Sequence, residues 1–422
     1  MAAYVAKQVV TAVVFPPFTG HDEVAHFEYV RVVATDGRVP TLYSHTMPAD
    51  LYEYQDYAIT WDEPEGVPLY TSVHPPLYYA LMAPIYRAAR GNSPETIHYI
   101  LRCAAIPFGA CVVLLAYLLT TVVFPRDGFL AVTVPAVVAF QPQLSYGAAM
   151  VNNDILGILL VSWLLYLLVR VVRDGVSTRS AILIGGVAGL AFLAKATAIV
   201  CFVLIPASFW LGRREGRWTD ALRSSLLAAL PLLLITAPWL WFVASVYGDP
   251  LALSALAETQ PGLVHEQPFL GLLFSGSFLV ERWTETWGEF GWKLIEISGG
   301  LVSVLGIIAV AGLLGLVARA IPAPEPGAHL QPWQRHALLI LAAACVLSYF
   351  GAVQFGTRFL LTQARYYFPV LNAAVLLAMV GLSAWIPSRW RAPAQGLIVL
   401  SAIAMNVLIY TAYVVPYWHF RR

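Results

Sequence analysis

Charge is what this sequence has least of: only 12% of its 422 residues are Asp, Glu, Lys or Arg. Soluble domains carry about 25%, so a soluble multi-domain protein is excluded. Cysteine is scarce as well. Cys103, Cys111, Cys201 and Cys345 fall inside or beside apolar segments and form no CxxC pair, which excludes a disulfide framework and a cysteine zinc site. They read as small buried hydrophobes. No internal repeat, low-complexity tract or heptad pattern is present. The net charge of +1 argues neither for nor against an anionic partner, and no nucleic-acid partner is expected.

What fills the space is apolar: 59% of residues are hydrophobic and the mean hydropathy is +0.70. Apolar runs recur along the whole chain, each close to the ~20 residues that cross a bilayer core. Their charged, proline and glycine punctuation places eleven spans, near 2–16, 102–124, 129–147, 153–172, 180–194, 196–211, 224–243, 299–319, 337–354, 366–386 and 394–415. The fold class is an all-α polytopic membrane protein, with 1–422 forming one transmembrane domain. The first run, Ala2 to Phe15, is short for a span and lacks a small-residue cleavage site, so it reads as a first helix trimmed at its cytoplasmic end rather than a signal peptide.

Basic residues fix the orientation. One set of short loops holds Arg126, Arg170, Arg173, Arg179, Arg213, Arg214, Arg217, Arg223, Arg319, Arg335, Arg389 and Arg391; by the positive-inside rule these loops are cytoplasmic, as is the Pro-rich connector 321–332. Two long segments, 17–101 and 244–298, then lie on the outer face. Eleven of the 24 acids agree, all in the first segment: Asp22, Glu23, Glu28, Asp36, Asp50, Glu53, Asp56, Asp62, Glu63, Glu65 and Glu95.

Several outer-face motifs carry chemistry. In PPFTGHDEVAHFEYV, Asp22 opens a helix as its N-cap or in its first turn, and His26 shares a face with Asp22 and Glu23. Such a group can take a proton from a hydroxyl or hold a divalent cation through Asp22, Glu23 and His26. Val24, Phe27, Val30 and Val33 form a stripe suited to the membrane interface. VHPPLYYALMAPIYRAAR sets His74 before a Pro-Pro helix start, with Leu77, Tyr78, Leu81 and Ile85 along one side of a second interfacial helix. In PQLSYGAAMVNNDILG, Asp154 sits at a membrane mouth beside Asn152 and Asn153; an acid at that depth either works or caps the helix. Lys195 interrupts GLAFLAKATAIV, and Arg365 occupies the matching place in TQARYYFPVL, one loop after Arg358. These cations suit lipid phosphates. Trp283, Trp287 and Trp292 give the second outer segment an interfacial or sugar-stacking character.

The ordered set DEVAHF, HPPLYY, VNND, GLAFLAK and QARYYFPVL resembles the type-C glycosyltransferases, which use polyprenyl-phosphate sugars, and is most similar to a large bacterial family of predicted membrane transferases. Protein O-mannosyltransferases and lipid A aminoarabinose transferases are relatives. The resemblance implies inversion at the anomeric carbon, Asp22 as general base or acceptor-positioning group, and Glu23 holding acceptor or metal. It further implies Asp154 as the second acid of the site, with Lys195 and Arg365 meeting the lipid phosphate. His26, His74, Asn153 and Arg358 complete the candidate substrate contacts. A leaving lipid phosphate needs cations more than a strong acid, and the acceptor hydroxyl needs one base. No Gly-rich phosphate loop or DxD points to a nucleotide-sugar donor. The expected partners are a polyprenyl-phosphate sugar, a glycan, lipid or protein acceptor, and membrane lipids, in a bacterial plasma membrane. A transporter for lipid-linked sugars, and a polymerase or ligase using a pyrophosphate-linked glycan, stand as alternatives.

Overall fold

A computed structural model describes residues 1–51, 54, 66–213, 218–320, 330–360 and 362–420. Glu53, Asp56, Asp62, Glu63, Glu65, Arg214, Arg217 and most of the Pro-rich connector lie outside the described residues. The helices are α1 (Ala2–Val14), α2 (Glu23–Asp36), α3 (Leu77–Ala89), α4 (Pro94–Val123), α5 (Gly128–Ala139), α6 (Pro142–Ala148), α7 (Asp154–Asp174), α8 (Thr178–Ala194), α9 (Leu204–Leu211) and α10 (Trp218–Tyr247). After α11 (Leu253–Thr259), α12 (Phe269–Leu273) and α13 (Gly276–Gly288) comes a two-stranded antiparallel hairpin, β1 (Glu289–Phe290) and β2 (Ile295–Glu296). Helices α14 (Gly299–Ala320), α15 (Pro332–Gly356), α16 (Leu371–Leu382) and α17 (Arg391–Ile409) follow.

Among the described residues seven helical stretches are long and apolar enough to cross a membrane, and the bent pair α5–α6 makes an eighth; Ala2–Val14, Thr178–Ala194 and Ala196–Leu211 are shorter apolar helices. The chain is an integral membrane protein. Every expected span thus has a counterpart, with three informative differences. Helix α4 begins at Pro94, capped by Ser93, whose hydroxyl accepts from Thr96 N, eight residues before the expected start at 102. Arg102 is charged but fully buried and paired with Glu23, so it sits inside the helix instead of ending it. The 129–147 run is broken, bending by 57° where Pro142 starts α6 and Gln141 caps it. Cys103 and Cys111 are exposed on α4 rather than buried: on a membrane helix a small hydrophobe can face lipid.

Helix α7 is the enclosed centre, packed against α4, α8, α9 and α15. Helices α14 and α16 pack where glycines allow backbones to touch. A Cβ on Gly381 would lie 1.7 Å from the Gly312 carbonyl oxygen, the small-residue packing that membrane helices use. The outward sides of α10 and α14 carry exposed Leu230, Leu234, Trp241, Ile307, Leu313 and Val317, apolar residues suited to lipid. The stripe Val24, Phe27 and Val30 is buried where α2 packs on α3, and in α3 the buried side is Tyr78, Tyr79, Met82 and Tyr86, with Leu81 exposed. At the opposite end the arginine-bearing loops meet one another: Arg391 pairs with Asp127 at 3.2 Å, and Gln334 donates to the Val123 carbonyl at 2.7 Å.

Candidate active site

Asp22 begins the site. It is the N-cap of α2 in the left-handed region, φ 60° and ψ 12°, and its carboxylate makes no capping bond. Asp tolerates that region better than most residues, and the turn frees its side chain. Arg365 Nη2 donates to Asp22 Oδ2 at 2.5 Å, and the Tyr70 hydroxyl donates to Oδ1 at 3.2 Å. Burial alone would raise the pKa of Asp22; the Arg365 guanidinium beside it holds it far below the usual carboxylate range.

Asp154 stands at the first turn of α7. Its backbone N–H donates to the Asn152 side chain at 3.0 Å, and Asn153 Nδ2 donates to the Ala194 carbonyl at 2.9 Å. That second bond ties the start of α7 to the end of α8, whose C-cap is Lys195. Lys195 pairs with Asp154 Oδ1, while Arg365 Nη1 lies 3.5 Å from Asp154 Oδ2. Both cations flank the Tyr366 ring, Lys195 Nζ at 5.2 Å and the Arg365 guanidinium carbon at 5.9 Å from its centroid. Asp22, Arg365, Asp154 and Lys195 therefore form one connected chain of charges, contributed by four distant stretches of sequence. Isolated charges at this depth are costly; alternation of sign offsets that cost.

The other expected residues divide. His26 Nδ1 shares a 2.8 Å hydrogen bond with the Tyr79 hydroxyl, and its ring stacks on His74 at 5.7 Å. Burial first, then nearby cations, push His74 down to about 3, and burial likewise lowers His26, so both rings are neutral. Glu23 turns away from Asp22. It accepts from Arg102 Nη2 at 2.5 Å and Nε at 3.0 Å, from Val151 N at 2.7 Å and from Gly20 N at 2.8 Å. His98 Nε2 lies 3.1 Å away. Fully buried and fully engaged, Glu23 locks the first loop to α4 and to the turn before Asp154. Asp22, Glu23 and His26 are thus not gathered around a common point, and among the described residues no cluster of three His, Cys, Asp or Glu could hold a metal ion. Arg358 is exposed, its guanidinium over the Phe359 ring, away from the charge chain.

A pocket with a cavity volume of about 40 Å³ opens against this chain, lined by Asp154 and Arg365 and also by His21, Gln143, Glu285, Glu289 and Lys293. The last three come from the Trp-rich segment, where reading for tryptophan overlooked the acids. The signal was there: Glu281, Glu285, Glu289 and Lys293 recur every fourth residue. Glu285 Oε2 accepts from Ala364 N at 2.7 Å and lies 2.8 Å from Arg282 Nε, so this segment fixes the backbone next to Arg365. Tyr70 carried no sequence signal. Of the tryptophans, Trp292 packs on the His21 ring at 5.1 Å.

Comparison with known proteins bears on the fold. Residues 73–242 match the family model described as dolichyl-phosphate-mannose-protein mannosyltransferase, a stretch that includes His74, Asp154 and Lys195. No curated protein matches. Among solved structures, ArnT from Cupriavidus metallidurans bound to undecaprenyl phosphate is similar with a TM-score of 0.56 at 14% identity, over 98% of this chain and 72% of that one. An Archaeoglobus fulgidus oligosaccharyltransferase in complex with Zn and sulfate gives 0.56 at 15%, over 98% of this chain and 52% of that one. The archaeal oligosaccharyltransferase AglB from the same organism, with an inhibitory peptide and a dolichol-phosphate, gives 0.51 at 13%, over 96% and 55%. This chain spans only about half the length of the two archaeal structures. The likeness is one of fold, and by it this chain has the fold of the type-C membrane glycosyltransferases that its motifs resemble.

Proposed function

We propose that this chain, acting as a single transmembrane domain, transfers a sugar from a polyprenyl-phosphate-linked donor to an acceptor hydroxyl. The transfer takes place on the extracytoplasmic face of a bacterial plasma membrane and inverts the anomeric centre. The observation that carries this reading is the charge chain Asp22–Arg365–Asp154–Lys195 beside a pocket. Two cations held by acids are suited to a phosphate that gains charge as the sugar leaves. The ArnT structure was obtained with undecaprenyl phosphate and that of AglB with a dolichol-phosphate, ligands of the class proposed here.

In this mechanism the donor phosphate engages Lys195 and Arg365. The C1–O bond to phosphate breaks as the acceptor oxygen bonds to C1 from the opposite side. Asp22 takes the acceptor proton. Arg365 couples the two events: the guanidinium keeps Asp22 a weak base in the resting site, and a phosphate that draws on the same guanidinium raises its basicity. Tyr70 orients the carboxylate. His26 and His74, neutral and stacked, form a rigid wall on that side.

The test uses full-length protein in lipid nanodiscs with a panel of polyprenyl-phosphate hexoses and pentoses. Release of polyprenyl phosphate together with a glycosylated product, lost in Asp22→Asn, is the expected result. Transbilayer movement of the intact donor with no product formed would overturn it.

A further inference from the structure

Glu289 has no work in the mechanism above, yet it is the acid of the pocket whose side chain is least engaged. It is 6% exposed, its Oε2 is buried without a hydrogen bond, and the residue lines the pocket that contains Asp154 and Arg365. The Lys293 ammonium lies 3.5 Å from Oε2 but is bonded to Glu285. A buried carboxylate oxygen whose nearest donor is an ammonium at 3.5 Å is incompletely satisfied, and a ligand hydroxyl would complete it.

The backbone around it is built to hold it still. Gln143 on α6 brackets Glu289, its Nε2 donating to the Glu289 carbonyl at 2.8 Å and its Oε1 accepting from Glu289 N at 3.2 Å. Two residues on, Gly291 N donates to the Tyr146 hydroxyl at 3.0 Å. The hairpin turn then places Trp292 and Lys293 at φ 58° and 65°, a region that side chains rarely occupy and that tends to mark functional turns. Glu289 is thereby fixed to α6, one turn of chain from the Asp154 loop.

We propose that Glu289, with Lys293, forms the subsite that binds the hydroxyl groups of a carbohydrate acceptor. This rests on the transferase reading above and extends it to the acceptor. A carboxylate accepts two hydroxyl donors and an ammonium donates to a third oxygen, a pairing that suits vicinal hydroxyls. The Trp292 ring against His21 adds an aromatic surface at the same pocket wall. Facing Glu289 are Lys293 from its own hairpin, Glu296 across the strand pair, Glu285 from α13 and His21 from the first loop; burial, opposed by Lys293, pushes Glu289 up to about 7.

Two measurements test this. The first needs no donor: saturation-transfer NMR of full-length protein in nanodiscs with methyl α-mannoside, methyl α-glucoside and a serine-containing peptide. A glycoside signal in wild type that is lost in Glu289→Ala and retained in part in Glu289→Gln is expected, with thermal unfolding confirming that both variants fold. A signal only from the peptide, from no probe, or one equal in wild type and Glu289→Ala would overturn the proposal. The second uses whichever lipid donor wild type turns over. Glu289→Ala should raise the KM for glycoside at least about tenfold, the weight of a hydrogen bond to a charged group, with the donor KM changed less than about twofold. A rise in donor KM or a fall in kcat alone would assign Glu289 to the reacting centre instead and overturn the acceptor subsite. Failure of wild type to release polyprenyl phosphate would sink the transferase reading, while the NMR result still decides on the subsite.

Discussion

The Arg365 guanidinium joins two acids from distant parts of the chain, donating to Asp22 at 2.5 Å while standing 3.5 Å from Asp154. A planar guanidinium fork fixes the directions of its donors toward two carboxylates and a phosphate oxygen; an ammonium is a point charge without that fixed geometry. Arg365→Lys should therefore keep the net charge but lose the bridge. The expected result is a fall in transfer rate of about a hundredfold, comparable to the loss of one preorganised charge-stabilising donor, with the unfolding temperature nearly unchanged. A rate within about twofold of wild type would show that the bridge is not used.

Arg102 and Glu23 are fully buried partners, so removing one leaves an uncompensated charge in the bundle. Arg102→Met should destabilise the protein by about 3–5 kcal/mol, seen as loss of monodisperse protein in detergent or a sharply lowered unfolding temperature. The double variant Glu23→Gln/Arg102→Met removes both charges and should recover much of that loss. Equal damage in single and double variants would contradict the pairing as the cause.

Glu289 gives a pH signature for stability. Its pKa rises from 4.5 to about 7 on folding, burial being the largest cause, so the folded state binds the proton more tightly than the unfolded chain. The resulting stabilisation is complete below about pH 4.5 and disappears as pH rises through about 7. His21 and His74, each pushed down to about 3 by burial, act oppositely, weakening the fold as pH falls below 6.5. The wild-type unfolding temperature relative to that of Glu289→Gln isolates the first effect, because the histidines are common to both. That difference should fall steadily between pH 5 and 8, and a flat difference would contradict a titrating Glu289.

Gly157 lies three residues beyond Asp154 on the same face of α7, and a Cβ there would stand 3.1 Å from the Lys195 Cβ. Gly157→Val should push Lys195 away from Asp154. In the transferase assay the donor KM should rise about tenfold, the scale of one displaced charged contact, while the acceptor KM stays constant. An unchanged donor KM would mean that Lys195 does not meet the phosphate.

Much of this was legible in the chain itself. Runs of about twenty apolar residues read as membrane helices, and arginines concentrated in alternate short loops suggest which end is which. Charges that interrupt apolar stretches are costly unless used, which singled out Asp154, Lys195 and Arg365, while Asp22 stood out as the acid that opens a helix directly after the first apolar run. Burial and pairing were not legible. Arg102 looked like the edge of a span because its partner, Glu23, lies 79 positions away, and no local pattern encodes such a pair.

The sequence alone thus determined the class of molecule, the helices and the identities of the four central charges, because hydrophobic periodicity and the cost of a buried ion are local properties. Only the tertiary structure decided which neighbour each charge received. It separated Asp22 from Glu23, one turned to Arg365 and the other to Arg102, left Arg358 outside, and brought Glu285, Glu289 and Lys293 to the pocket. The reason is that ion pairing depends on distances set by helix packing across the whole bundle, and adjacent residues on one chain can face opposite ways.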